Sequence, residues 1–76
     1  MTGAEHLAVL EAQAEEAYAA MYDAADFSTA TARYSDAKEA LYTAIGLARG
    51  LGELDLALRL GGRLDHIKAV FRSQFA

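Results

Sequence analysis

The residues able to do chemistry are few, and none stands at a spacing that a reaction requires. Two histidines are present, His6 and His66. His6 lies beside Glu5, but the position four residues on, where a second helical metal ligand would stand, is Leu10, so it reads as a surface residue. Glu15 and Glu16 are adjacent carboxylates, and an acid–base pair needs two such groups held at different pKa values. Neighbours on a helix point about 100° apart. Nothing near this pair would split their titration, so both read as solvated face. Ser and Thr occur, yet no spacing sets a nucleophile against its base. The glycines of GLARGLGE, residues 46–53, lack the Lys-Ser/Thr of a phosphate-binding loop and a preceding strand. Cysteine is absent, which removes disulfides and thiolate zinc sites. No enzyme, cofactor or metal is expected.

The composition points elsewhere. Apolar residues make up 54% of the 76 residues, Ala and Leu dominate, and Pro is absent, a mixture that favours helix. A chain this short is one domain near the lower limit for a self-sufficient core, so regular helix packing or self-association must supply stability. The net charge of −4 is the wrong sign for neutralising phosphates, so no nucleic-acid partner is expected. Charge is also unevenly placed: Glu5, Glu11, Glu15, Glu16, Asp23 and Asp26 precede any Lys or Arg, whereas Arg59, Arg63, Lys68 and Arg72 face only Asp65. In an up-down-up arrangement the first and third helices run parallel, and this asymmetry is met within the fold or across a dimer. The start of the chain has no basic leader region, and no window is long and apolar enough to span a bilayer. The expectation is a cytoplasmic protein with no membrane contact. High Ala with Arg favoured over Lys fits a GC-rich bacterial genome.

Hydrophobic rhythm defines three helices. Thr2-Gly3-Ala4-Glu5 has the form of a capping box, and Leu7, Leu10, Ala14, Ala17, Met21 and Ala24 then recur at steps of three and four, predicting a helix over about 3–24. The phase slips after Ala24. A new seam runs through Phe27, Ala30, Tyr34, Ala37, Leu41, Ala44, Ala48 and Leu51, with Asp26, Ser28 and Thr29 as competent caps before it, predicting a second helix over about 28–50. The alternative carries the first helix to Thr31 and turns at 32–35 with Ser35 as cap. Gly50 and Gly52 end the second helix. Ala57, Leu60, Leu64, Ile67 and Phe71 mark the third, over about 53–74, while Leu54, Leu56 and Leu58 put apolar surface on its other faces. Gly61-Gly62 in mid-helix predicts close packing against a large side chain such as Tyr34 or Tyr42. The four tyrosines, Tyr18, Tyr22, Tyr34 and Tyr42, are expected to fill the core with hydroxyls at its rim.

Tyr34, Ala37, Leu41 and Ala44, with Leu60-Gly61 following, resemble the second helix of a tetratricopeptide-type repeat and the start of the next first helix. The aromatic expected after Leu60-Gly61 is Leu64, and Ala24-Ala25 and Ser28 depart from the pattern of the preceding first helix. The resemblance covers about half the chain and implies a protein-binding scaffold with no catalytic residues. Asp65-His66-Ile67-Lys68 is loosely similar to histidine phosphotransfer proteins, where an exposed His is followed by Lys two or three residues on. That resemblance implies a phosphoryl-accepting His66, although Ala69 stands where Gly is common and such bundles need a fourth helix.

The sequence therefore predicts an all-α fold, a three-helix antiparallel bundle or repeat-like hairpin plus one helix, that forms a homodimer. Its function is read as a small structural or protein–protein interaction module, with Leu51, Leu54, Leu58, Phe71 and Phe75 as the contact residues; phosphotransfer through His66 is the alternative.

Overall fold

The computed structural model describes residues 2–75. It contains three helices and, among the described residues, no strand: α1 spans Gly3–Tyr22, α2 spans Phe27–Gly50 and α3 spans Leu54–Phe75. The starts of α1 and α2 have a local cause. Thr2 is in extended conformation and its hydroxyl accepts from the Glu5 N–H at 3.1 Å, satisfying one of the unpaired donors of the first turn. Asp26 does the same for α2, accepting from the Thr29 N–H at 2.7 Å and the Thr29 hydroxyl at 3.2 Å. These two bonds hold the Asp26 carboxyl below its ordinary pKa. The first break thus lies at Asp23–Asp26 and not at 32–35, where α2 is continuous. α2 closes through Gly52, whose φ of 76° is the left-handed region an L side chain avoids. The turn lets the Glu53 N–H donate to the Ala48 carbonyl at 2.8 Å.

The helices run up, down, up. α1 and α3 are parallel, since Glu11 meets Arg59, Glu15 meets Arg63 and Tyr18 meets His66. α2 is antiparallel to α3, with Tyr34 on Phe71 and Tyr42 on Lys68. Both outer helices pack on α2, and their own backbones scarcely approach each other, so that only long side chains bridge them. Three helices side by side at about 9 Å spacing would measure about 23 Å across, and closed into a triangle about 14 Å. The observed width of 22 Å, with a thickness of 12 Å, describes an open V with α2 at its vertex.

Alanine explains the vertex. Ala30, Ala37, Ala40, Ala44 and Ala48 are buried on α2, and their small side chains admit both neighbours. Larger residues fill the arms: Leu7, Leu10 and Met21 from α1, Leu41 from α2, and Leu60, Leu64 and Ile67 from α3. At the end of the V where α2 starts and α3 finishes, Phe71 stacks on Tyr34 at 4.0 Å between centroids and 6° between planes, flanked by Phe27 and Phe75 at 6.1 and 5.5 Å. Each such aromatic pair adds about 0.5–1.5 kcal/mol beyond burial. No polar or charged side chain is buried among the described residues.

Three expectations are corrected. The tyrosines do not all fill the core: Tyr18 and Tyr34 pack against it, but Tyr22 and Tyr42 are mostly exposed. Gly61 and Gly62 are not covered by Tyr34 or Tyr42, for a Cβ built on either glycine meets nothing within 4 Å. Tyr34 is committed to Phe71, and the Tyr42 hydroxyl accepts from Lys68 Nζ at 2.9 Å. Phe71 is a core residue, 9% exposed, and has little area left for a partner.

Candidate functional site

α3 presents two unlike flanks on either side of its buried stripe. The flank toward α1 carries Arg59, Arg63 and His66. Arg63 donates to Glu15 through two guanidinium nitrogens, at 2.8 and 2.5 Å, a bidentate geometry that stiffens the pair. The donated bonds lower the Glu15 pKa and raise that of Arg63. Arg59 reaches Glu11 at 3.5 Å. The same guanidinium of Arg63 lies 4.9 Å from the Tyr18 ring centre, and His66 meets that ring edge-on at 6.2 Å. Two charges from each end, Glu11 with Arg59 and Glu15 with Arg63, are thus paired inside the fold, and Glu11 and Glu15 face α3 instead of solvent alone. The gap between the arms leaves a cleft of about 160 Å³ floored by Leu41 and Leu60 between these pairs.

The opposite flank carries Leu54, Leu58, Gly61, Gly62 and Asp65, which recur at helical spacing along one side of α3. Leu54 is 62% and Leu58 76% exposed, the two most exposed large apolar side chains described. With nothing near the glycines, this edge is uncovered backbone and leucine.

The five residues expected to form one contact surface are separated. Leu51 is half-exposed at the α2–α3 turn, where its side chain lies against Gly3 at the start of α1. Leu54 and Leu58 share the outer edge of α3. Phe71 lies about 20 Å further along the helix axis, thirteen residues on, and Phe75 is half-buried against it. His66 and Lys68 also diverge, as residues two apart on a helix must: His66 turns to Tyr18 of α1, whereas Lys68 turns to Tyr42 of α2.

A second concave feature is one that hydrophobic rhythm does not reveal. On the side of α2 away from α3, α1 and α2 form an open groove of about 800 Å³ floored by Leu10, Ala17, Ala20 and Ala40. The sequence signal for it is Ala20 beside the Leu10–Ala17 stripe of α1, small residues that a rhythm of large apolar side chains does not mark. Among the described residues no three His, Asp or Glu side chains converge as a metal site, and no helix is long and apolar enough to cross a membrane.

Comparison with known proteins places the chain in no group: no protein-family model matches it, and no curated protein or solved structure matches it significantly.

Proposed function

We propose that the protein is a non-catalytic protein–protein interaction module whose first partner is a second copy of itself, docked through the outer edge of α3. The carrying observation is the exposure of Leu54 and Leu58 beside two glycines that leave the backbone open to close approach. The up-down hairpin followed by a third helix is in keeping with the tetratricopeptide-type resemblance, which belongs to the same proposal. Fully burying a leucine is worth about 1.5–3 kcal/mol. Four leucines that are about two-thirds exposed then supply about 4–8 kcal/mol before the cost of association, so the dimer is micromolar or weaker.

Light scattering across a dilution series tests this. The expected result is a mass that falls from dimer to monomer on dilution through the micromolar range, and a Leu58→Asp protein that is monomeric throughout with unchanged helical circular dichroism. A mass independent of concentration at the monomer value, or a dimer that survives Leu58→Asp, refutes the assignment.

A further inference from the structure

We infer that the groove between α1 and α2 is a docking site for a cationic amphipathic helix. The floor is Ala17, Ala20 and Ala40 with Leu10, and these small side chains leave depth for leucine-sized groups from a third helix. The lining residues span eleven positions on each wall, from Leu10 to Ala20 and from Arg33 to Thr43, and the ten steps between the ends make about 15 Å, or three turns of an incoming helix.

Charge selects the occupant. The rims carry Glu16 on α1 and Asp36 and Glu39 on α2 against a single base, Arg33. Arg33 is bound to Asp36 at 3.2 Å, so that pair is neutral. Glu16 and Glu39 have no ion-pair partner among the described residues and leave one negative charge on each rim. A helix with an apolar stripe and Lys or Arg on both shoulders is complementary to that pattern; an acidic helix of the same apolar face is repelled from both rims. This site shares no residue with the α3 edge, so its occupancy is read independently of self-association.

The probes are two fluorescein-labelled helical peptides with identical leucine stripes, one with Lys and one with Glu at the remaining positions, titrated by fluorescence anisotropy. The Leu/Lys peptide should bind, about tenfold more weakly when salt rises from about 50 to about 500 mM, and the Leu/Glu peptide should not bind. Glu16→Gln with Glu39→Gln, both on exposed carboxylates, should lower affinity about tenfold and flatten the salt dependence. Ala20→Trp, at an exposed position on the floor, should abolish binding with helicity unchanged. Should that variant fail to fold, the double Gln variant decides. Equal binding of the two peptides, no binding of the Leu/Lys peptide, or wild-type affinity in the double Gln variant overturns the inference. So does loss of self-association in Ala20→Trp, which would make the groove an interface between copies.

Discussion

Replacing Gly61 and Gly62 by alanine should stabilise the monomer and weaken the proposed dimer. Glycine in a helix interior is about 0.8–1.0 kcal/mol less favourable than alanine, through the backbone freedom it loses on folding. That gain is realised only where the new methyl group has room, and at both positions a Cβ meets nothing within 4 Å. The pair therefore contributes about 2 kcal/mol. A chain of 76 residues is expected to be stable by about 4–11 kcal/mol, so the change is large in proportion. For a domain of this size it raises Tm by roughly 8–16 °C. The assay is thermal and urea unfolding followed by circular dichroism, at protein concentrations low enough that light scattering reports monomer. At higher concentration the two methyl groups stand where a second α3 would approach, and the dilution midpoint should move to higher protein concentration. Gly62→Ala alone, at the more exposed of the two positions, should give half the gain. A stability unchanged or lowered in the monomeric regime would show that something already occupies the space beside these glycines, and would refute both the packing argument and the α3 edge as a contact.

Phe71→Ala should cost about 3–5 kcal/mol, since it removes the ring that Tyr34, Phe27 and Phe75 surround, and urea titration should find a midpoint lowered in proportion. Gly52→Ala should destabilise by about 1 kcal/mol by chemical denaturation, because alanine must adopt a φ of 76° there. The Glu15 carboxyl has a folded pKa below its ordinary value of 4.5, so its contribution is present above that pH and is lost as pH falls through the lower folded value. Glu15→Gln should remove that segment of the acid denaturation curve while lowering stability at pH 7 by less than about 1 kcal/mol, as befits a half-exposed pair. Incubation with a labelled small-molecule phosphoryl donor should leave no acid-labile phosphate on His66, and stoichiometric labelling lost in His66→Ala would replace the interaction reading with phosphotransfer.

Helix boundaries were legible because their causes are local. Thr2 and Asp26 cap through bonds three residues long, and Gly52 closes a turn within five residues, so nearby sequence carries the whole signal. The seams of α1 and α3 were legible for the same reason of period. What the chain could not reveal is the angle between elements. Five buried alanines on α2 are compatible with a closed bundle or an open V, because small side chains allow close approach without fixing its direction. Gly61-Gly62 is ambiguous in sequence because mid-helix glycine implies a close neighbour, whereas a Cβ at either position meets nothing within 4 Å. Phe71 lies in the apolar seam of α3 and is also expected at the contact surface; its stack on Tyr34 and its 9% exposure place it in the core instead. The α1–α2 groove leaves little trace in the sequence because its floor is mostly alanine, which is common on any helix face.

The V has a kinetic consequence. Each extensive packing interface joins helices that are consecutive in the chain, α1 with α2 and α2 with α3, across turns of a few residues. Contact order is therefore low, and folding should be fast, in the microsecond-to-millisecond range. Either hairpin can nucleate on α2, so damage to one arm slows folding less than damage to the vertex. Substitutions at Ala37 or Ala44 should depress the folding limb of the chevron, whereas those at the tips of α1 and α3 should chiefly hasten unfolding.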